Sequence, residues 1–460
     1  MMKRNITGNE LEEEILKLEN DDLIEVILIN NYCVTTSFHF SHDIEKRIEF
    51  TDINFTSFIS ISNCTFKKYI LISNIECLRS LKFQKTTHYG NLIFNSGKFE
   101  KNVDIFECQF YNDLKLYGGT FKNHLRVFNG TCHSGLFTEG KIQANEIQVQ
   151  DTKIKYEMSF KNDGKIEYLN LSENDCGLTT FYSSNLGELE IDHCGEDQKI
   201  EIETSIIDKL KFSNLKNKGE ILIKDSELNA VEVIDTVNYQ NIKFLNIKVK
   251  KTKSKDFIIK NSDLGKAEFL NVDTTNYNNV IITDSILMNI LPINFQIKTI
   301  KATDNWNLKE TYRQLKYSYH KSGDNYNSMI FASMEMQTLN KIYSWNSKHF
   351  LDKFILWSRQ SNNFDQNWLK PIILAFCFIF PIYFNILYQL KVPYVFSETL
   401  SIADLFGKFL LFLNPTHKPD FIDGYNINAL NITIALDYIS RLLSGYFLYQ
   451  TIKAFRKLKE

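Results

Sequence analysis

Residues 92–132 read LIFNSGKFEKN, VDIFECQFYND, LKLYGGTFKNH and LRVFNGTC when they are divided before Val103, Leu114 and Leu125. Each piece opens with alternating apolar and polar residues, which is the pattern of a half-buried strand. A fixed period indicates a repeat architecture, and a step of about 11 residues suits half a coil of a β-solenoid. We therefore expect the eighth residues of the four pieces to point into one core; they are Phe99, Phe110, Phe121 and Cys132.

The repeat continues in both directions from this stretch. Counting back by the same step passes His88, an imperfect match, and reaches Cys77 and Phe66. Beyond residue 160 the period becomes roughly 20–23 residues, which is one full coil. Asn, Asp, Ser and Gly fill the corners between the apolar runs, as turns require. The sequence thus predicts a β-solenoid over about residues 25–300, in some twelve coils, behind an N-terminal cap over residues 1–24. The later apolar runs begin at Ile200, Ile221, Ile242, Phe257 and Val280.

The composition excludes several functional classes. The net charge of -2 gives no overall basic footprint for nucleic acid. The eight Cys and nine His residues are dispersed, without a CxxC pair or zinc-ligand spacing, so we expect no metal and no other cofactor. No export signal is recognisable, and we expect reduced, cytoplasmic thiols that serve as small core side chains. Carboxylates are spread over the corners rather than clustered with a basic partner, so we expect no catalytic residue and no enzyme.

Lysines accumulate late in the solenoid and are densest in KVKKTKSK, residues 248–255. One interpretation is a solvated loop that keeps solenoid edges from pairing. The other is a docking site for an anionic ligand, which would be a nucleotide, an oligonucleotide or lipid head groups. The candidate residues of such a patch are Lys248, Lys250, Lys251, Lys253 and Lys255.

Helical periodicity replaces strand alternation after the solenoid. Residues 305–320 and 325–345 predict a helical hairpin within a connector over residues 301–346, and such a hairpin can cap the last coil. Residues 347–365 contain an amphipathic helix that either lies in a membrane interface or packs on the hairpin. The two alternatives differ in where the apolar side chains of that helix lie, and these are Phe350, Leu351, Phe354, Ile355 and Trp357.

Residues 366–460 have the pattern of a transmembrane module. Residues 371–390 carry no charge and are long enough to cross a bilayer, and residues 429–452 are the second predicted span. Residues 403–414 are apolar but too short to cross, which indicates a re-entrant segment. Lys and Arg residues flank both spans, so we expect two crossings, both termini in the cytoplasm and a location in a bacterial inner membrane.

Polar residues inside the predicted spans are the candidate site. Asp437 and Arg441 lie four residues apart on one helical face, and at that depth they must pair or line water. Ser440 and Ser444, next to Gly445, form a small-residue face for close helix contact. Asn385 is a further polar residue, in the first span.

The repeats resemble those of pentapeptide-repeat and related right-handed β-helix proteins. The hairpin resembles the one that follows the repeats in membrane-attached members, and DYISRLLSGYFLYQTIKAFRKLKE, residues 437–460, is similar to the channel-like module fused to such repeats in bacteria. The resemblance implies a β-solenoid followed by an α-helical hairpin and a two-span membrane module. No potassium-filter motif such as TVGYG is present. The hairpin residues that carry the likeness are Tyr312, Arg313, Leu315, Lys316, Gly323, Asp324, Phe331 and Glu335.

Three functional hypotheses follow. The first is a homo-oligomeric pore or channel effector, similar in outline to those of bacterial anti-phage defence, in which the solenoid senses a ligand. The second is a membrane-anchored scaffold, in which the solenoid binds a protein and the spans only tether it. The third, an enzyme on the solenoid, has the least support. The expected partners are the lipid bilayer, further copies of the chain and an anionic ligand.

Overall fold

The structure is a computed structural model that describes residues 3–250, 255–297, 299–346, 348–390, 402–422 and 431–456. The chain divides into two compact units. The first comprises Met1–Thr303 with Tyr317–Ser322, and the second comprises Asp304–Lys316 with Gly323–Glu460. The first unit is a β-solenoid of about 12 turns, and the second is helical. The solenoid prediction is therefore confirmed.

Thirty-five short strands build the solenoid. The first group is β1 (Arg4–Ile6), β2 (Val26–Asn30), β3 (Tyr32–Val34), β4 (Phe38–Phe40), β5 (Arg47–Thr51), β6 (Asn54–Phe55), β7 (Ile59–Ser62), β8 (Thr65–Phe66), β9 (Ile70–Ser73), β10 (Glu76–Cys77), β11 (Leu81–Gln84), β12 (Thr87–His88), β13 (Leu92–Phe99), β14 (Val103–Phe106), β15 (Gln109–Phe110), β16 (Leu114–Phe128), β17 (Thr131–Cys132) and β18 (Gly135–Gln150). The second group is β19 (Lys153–Asn162), β20 (Lys165–Ser172), β21 (Asp175–Tyr182), β22 (Asn185–Asp192), β23 (Lys199–Glu203), β24 (Ile206–Ser213), β25 (Lys216–Asn217), β26 (Ile221–Lys224), β27 (Glu227–Leu228), β28 (Val231–Ile234), β29 (Val237–Asn238), β30 (Ile242–Leu245), β31 (Asp256–Lys260), β32 (Glu268–Asp273), β33 (Asn279–Thr283), β34 (Leu291–Gln296) and β35 (Ile300–Lys301).

Strands pair in parallel with the strand one full coil away. Leu81 of β11 pairs with Ile59 of the preceding coil and with Val103 of the following coil. The later coils keep the predicted step, since Ile221 pairs with Ile200 and with Ile242. Parallel pairing on both edges leaves each coil hydrogen-bonded to its neighbours, so stability builds up coil by coil.

The core residues at successive repeat steps form two columns rather than one. One column runs through Phe55, Cys77, Phe99 and Phe121. The other runs through Phe66, His88, Phe110 and Cys132. All of these side chains are buried, as predicted. The interpretation of the eighth residues as one column was wrong. The repeat step is half a coil, so alternate members lie on different strands of each coil.

Corners between strands use left-handed backbone, which Asn and Asp tolerate better than most residues. Positive φ recurs at Asp225, Asn246, Asn271 and Asn294 in successive coils. Their side chains form a ladder: the Asn246 amide donates to Asp225 at 2.8 Å, Asn271 to Asn246 at 2.8 Å and Asn294 to Asn271 at 2.9 Å. The predicted polar corners are therefore confirmed, and the ladder ties one coil to the next.

Helices close both ends of the solenoid unit. Helix α1 (Gly8–Glu19) begins with a Thr7–Glu10 capping box and buries Leu11 and Ile15. A Cβ on Gly8 would lie 2.0 Å from the carbonyl oxygen of Ser37, so this helix starts in contact with coil backbone.

At the other end of the unit, the last residues of helix α2 (Asn305–Lys321) cover the final coils. The Ser318 hydroxyl donates to the Leu287 carbonyl at 2.7 Å, and the Tyr319 hydroxyl donates to the Phe295 carbonyl at 2.6 Å. Both side chains are buried. The end of α2 therefore caps the last coil, as expected of the hairpin.

The helical unit contains the remaining helices within a few residues of their predicted limits. They are α3 (Asn325–Ile342), α4 (Phe350–Arg359), α5 (Leu369–Gln389), α6 (Ile402–Phe412) and α7 (Asn431–Arg456), with 3-10 turns at Gln360–Asn362 and Pro419–Phe421. Helix α5 continues through Pro381. The core of this unit is apolar and is shared by α5, α6, the segment after α6, and α7; it consists of Ile379, Tyr383, Ile386, Leu387, Leu390, Phe409, Phe412, Ile422 and Phe447.

Candidate functional site

Helix α7 has its polar face buried and its apolar face exposed. Among the side chains described, eight are buried and six of these are polar or charged: Thr433, Asp437, Ser440, Ser444, Gln450 and Thr451. The exposed side includes Leu442, which is 75% exposed, Tyr438 at 62% and Tyr449 at 60%. A surface helix in water has the opposite arrangement. This inversion leaves an apolar outer face and a polar inner face on α7.

A buried ionic cluster lies at the centre of that inner face. Asp437 is 2% exposed and His417 is 6% exposed. The Asp437 carboxylate accepts from Arg441 Nε at 2.9 Å and lies 2.7 Å from the second Arg441 nitrogen, on the next turn of α7. Its other oxygen lies 2.8 Å from His417 Nε2. The predicted Asp437–Arg441 pair therefore forms within one helix, and it has a third member.

His417 is positioned by the segment that follows α6. Its Nδ1 lies 2.7 Å from the carbonyl oxygen of Asn414, and its ring packs against Phe412 with centroids 4.8 Å apart. Both ring nitrogens of His417 therefore face oxygen atoms, one of the Asn414 carbonyl and one of the Asp437 carboxylate. The sequence did not identify His417 as a site residue. Its partner lies 20 residues away on another helix, so no local period could have indicated it.

The other polar residues predicted for the site are Ser440, Ser444 and Asn385, and they lie in different surroundings. Ser440 is buried and donates to the Asp437 carbonyl at 2.7 Å. Ser444 is 4% exposed, and its hydroxyl finds no hydrogen-bond partner among the described residues. A Cβ on neighbouring Gly445 would lie 3.9 Å from Pro415, so the small-residue face contacts the segment after α6 of the same chain. Asn385 is exposed and accepts from Gln389, whose own oxygen accepts from Thr433 of α7 at 2.7 Å.

A second polar cluster, which the sequence did not reveal, joins the loop before α5 to the end of α7. Asp365 is 8% exposed and lies 2.8 Å from an Arg359 guanidinium nitrogen and 3.3 Å from Lys453 Nζ. The fully buried Asn362 amide donates to Asp365 at 2.9 Å and to Gln450 at 2.7 Å. Burial raises the pKa of Asp365, but the Asn362 hydrogen bond and the two cations outweigh it and hold that pKa below its usual value. We call this cluster the α5–α7 clamp.

The loop of the clamp adopts strained backbone. Asn363, Phe364 and Asp365 have φ values of 55°, 55° and 71° in succession. Left-handed conformations cost roughly 1 kcal/mol or more for each non-glycine residue, so three in a row require compensation. Burial of Phe364, which is 2% exposed, and the hydrogen bonds of the clamp provide it. The loop is therefore held in shape by tertiary contacts rather than by its own preferences.

Helix α4 leaves its predicted apolar face exposed within the unit. Phe350, Leu351, Phe354, Ile355 and Trp357 are each about half exposed or more, from 49% to 73%. Only Leu356 is buried, and Lys353 reaches back to the Asn340 carbonyl of α3. In the described residues, this face has one ring contact with the connector, between Phe350 and Trp345 at 5.8 Å, and most of it is open. The interfacial location of α4 therefore stays a prediction.

The lysine patch is only partly described. Lys248, Lys250 and Lys255 are exposed, whereas Lys251 and Lys253 fall outside the described residues. Several other lysines in this part of the solenoid pair with carboxylates on adjacent coils: Lys209 with Glu188 and Glu232, Lys211 with Glu190, Lys218 with Glu196 and Lys243 with Glu220. Such pairs neutralise much of the positive charge that suggested an anion-binding site. Residues 248–255 remain the candidate for that site.

Comparisons do not assign the chain to a family. No family model, curated protein or solved structure matches it. In the described residues, α5 is the one helix long and apolar enough to cross a membrane by length and composition, with a mean hydropathy of 2.0 over its most apolar window. Helix α7 does not meet that criterion. The described residues contain no group of three His, Cys, Asp or Glu that could hold a metal ion.

Proposed function

We propose that the helical unit is embedded in a membrane and that the chain serves as a membrane-anchored β-solenoid scaffold for another macromolecule. The observation that carries this proposal is the inverted polarity of α7, with buried Asp437 and Gln450 and exposed Leu442 and Tyr449. Large exposed apolar patches are rare on proteins that are surrounded by water. In a bilayer, the same arrangement keeps most polar side chains of α7 inside the unit and presents hydrocarbon to hydrocarbon.

The contacts between α5 and α7 support two crossings. The clamp brings Asp365, just before α5, within 3.3 Å of Lys453 near the end of α7. The other ends of the two helices meet where Thr433 donates to Gln389. The helices are therefore antiparallel, and a bilayer around them would leave residue 365 and residue 453 on the same side. We propose that this side is the cytoplasm of a bacterium, since Lys and Arg flank both helices there.

The closed ionic cluster favours a scaffold over a pore. A water-filled pore needs polar groups on the surface that faces its axis. In the described part of the helical unit, Asp437 and Ser440 instead point inward and are hydrogen-bonded within the chain. Arg441, with 27% of its side chain exposed, is the member that reaches toward the surface.

The oligomeric pore is the second candidate, and the charge of the cluster, as distinct from its closed geometry, supports it. A simple tether gains nothing from three ionisable side chains in a membrane-spanning helix and its neighbour, because each is costly there. In this hypothesis, several copies assemble and the cluster opens toward water when the solenoid binds its ligand. A role as an effector of anti-phage defence would be one form of this hypothesis.

Leu442→Arg tests the membrane proposal. In lipid, an arginine on the outer face of α7 costs about 2.5–3.5 kcal/mol at the helix centre, so the variant should fail to insert and should leave the membrane fraction under alkaline carbonate. In water, a side chain that is 75% exposed would accept arginine with almost no effect. The matched control is Leu28→Arg, at a 60% exposed position in the solenoid, which should change nothing.

The outcomes separate the proposals. Wild-type chain that is released by carbonate, or a Leu442→Arg variant that inserts as well as wild type, would overturn the membrane proposal. If wild type inserts, ion flux from liposomes then distinguishes the two candidates. Flux that requires several copies per vesicle would replace the scaffold by the pore, whereas a non-conducting, membrane-inserted chain supports the scaffold.

A further inference from the structure

Two open grooves lie one after the other along a single corner of the solenoid. The first has a volume of about 740 Å³ and is lined by coils that include Lys46, Lys67, Tyr89 and Asn112. The second has a volume of about 430 Å³ and begins at Thr131. Both follow the corner next to the Phe66–His88–Phe110–Cys132 column, so they form one continuous track on the outside of successive coils.

A stack of exposed rings connects the two grooves. Tyr89 and Tyr111 lie face to face, with ring centroids 4.6 Å apart and planes inclined by 5°. His133 continues the stack at 4.8 Å from Tyr111. Both tyrosines are 42% exposed. Because each ring covers the face of the next, the stack presents ring edges and hydroxyl groups to a ligand rather than open faces. We call this feature the aromatic corner.

Uncompensated lysines border the aromatic corner. Lys67 lies over the Tyr89 ring at 4.8 Å, and Lys68 is its exposed neighbour. Lys153 and Lys155 line the second groove and are also exposed. None of these four lysines forms an ion pair with a carboxylate in the part of the chain that the structure describes. Other exposed lysines of the solenoid do form such pairs. The paired ones include Lys98, with Glu76 and Glu100, and Lys122, with Glu100.

Carboxylates lie at both ends of the track, and Glu25 and Glu45 are the exposed ones that line the first groove. The second groove ends among Asp175, Glu196 and Asp197, which are all exposed. A uniformly charged polymer such as single-stranded nucleic acid would be repelled there, and it would also find no open ring face for base stacking. A polypeptide can follow acidic residues with basic ones, and tyrosine edges with lysines suit its carboxylates and carbonyls.

We propose that the aromatic corner and its two flanking grooves bind an extended segment of a partner protein, in which acidic residues at the centre meet the lysines and basic residues meet the carboxylates at the two ends. The inference deepens the scaffold function and rests on it. From Lys46 to Lys155 the track crosses five coil steps of about 4.8 Å, or roughly 24 Å, which an extended peptide of about eight residues covers. The ligand lies along the solenoid axis, its carboxylates meet the lysines, and the tyrosine hydroxyls bond its backbone.

The test is fluorescence anisotropy with the full-length chain in detergent. The probe is a labelled peptide of about eight residues in which Glu alternates with Ser at the centre and a Lys stands at each end, and an oligodeoxynucleotide of similar length serves as the comparison. The groove variant is Lys67→Gln/Lys68→Gln/Lys155→Gln. The matched control is Lys98→Gln/Lys122→Gln/Lys165→Gln, which removes the same charge from exposed lysines that already have carboxylate partners outside the grooves.

We expect the peptide to bind in a salt-sensitive manner, to lose at least tenfold in affinity in the groove variant and to lose less than twofold in the control. Tyr111→Ala, which removes the middle ring, should weaken binding without unfolding the solenoid. Absent binding to wild type, equal losses in the two triple variants, or tighter binding of the oligonucleotide would overturn the inference. None of these results depends on membrane insertion, so failure here is distinguishable from failure of the membrane proposal.

Discussion

His88 is the residue at which the sequence repeat is imperfect. It occupies a core position between Phe66 and Phe110, with ring centroids 5.1 and 4.8 Å apart, and it is fully buried. Its Nε2 lies 2.8 Å from the Thr86 hydroxyl, whereas Nδ1 has no partner among the described atoms. The column therefore accepts an aromatic ring with one unsatisfied nitrogen, which costs stability. Burial lowers the pKa of His88 from 6.5 to about 3.

His88→Phe should stabilise the solenoid, and most strongly at acidic pH. The unfolded chain binds a proton on His88 below about pH 6.5, but the folded chain does not until about pH 3, so wild-type stability falls as pH drops between these values. The slope contributed by this residue is about 1.4 kcal/mol per pH unit. Thermal unfolding at pH 7 and pH 5 should show a smaller pH difference in the variant. An unchanged difference would mean that His88 does not set it.

Asp437 is the hub of the buried cluster, because both Arg441 and His417 depend on its carboxylate. Asp437→Asn removes the charge that both partners face, whereas Arg441→Gln leaves the His417 contact in place. Removing one member of a buried ion pair typically costs about 3–5 kcal/mol. We expect Asp437→Asn to lower the thermal stability of the detergent-solubilised chain more than Arg441→Gln. The reverse order would show that Arg441, not Asp437, organises the cluster.

At the scale of elements, the α5–α7 clamp holds the ends of two helices together through a strained loop. Asn362, Asp365, Gln450 and Lys453 form one hydrogen-bonded group, and Tyr446 adds a bond to the Ser358 carbonyl at 2.5 Å. Rings of Trp368 and Phe455 stack beside it at 4.8 Å. If α5 and α7 both cross a membrane, as proposed, this group would fix how their ends on one side meet.

Asp365→Asn should loosen the end of α7. The change leaves Arg359 and Lys453 without their carboxylate, so backbone amides near residues 446–453 should exchange hydrogen faster while those near residues 433–437 stay protected. Asp352→Asn is the control, because that side chain is 61% exposed and its one contact is His349 at 4.0 Å. If residues 446–453 exchange hydrogen no faster relative to residues 433–437 in Asp365→Asn than in Asp352→Asn, the clamp has no specific role in holding the end of α7.

At the scale of the whole molecule, the antiparallel α5–α7 pair predicts that both termini lie on one side of the membrane. Reporter fusions after Ala302 and after Glu460 should both report the cytoplasm. The clamp provides the physical reason, since it joins the start of α5 to the end of α7. Opposite reports from the two fusions would contradict two crossings and, with them, the arrangement of the helical unit in a bilayer.

Local patterns in the sequence determined most of the elements. The alternation in residues 92–132 predicted strands, and the longer full-coil step predicted the later coils, because each coil repeats the same burial at the same position. Helices α2 to α7 also begin and end within a few residues of their predicted limits, since helical periodicity and apolar length are local properties. Asp437 and Arg441 were found because a pair four residues apart is a local property too.

Only the tertiary structure determined which residues distant in the sequence contact one another. It divided the predicted core column into two, because a half-coil step places successive members on different strands. It brought His417 to Asp437 and Asn362 to Gln450, and it stacked Tyr89 on Tyr111 of the next coil. Apart from the Asp437–Arg441 pair, no period links the residues of the two polar clusters, so their other partners follow from chain packing alone. The aromatic corner does obey the coil period, but its exposed edges and unpaired lysines become visible only when the coils are stacked.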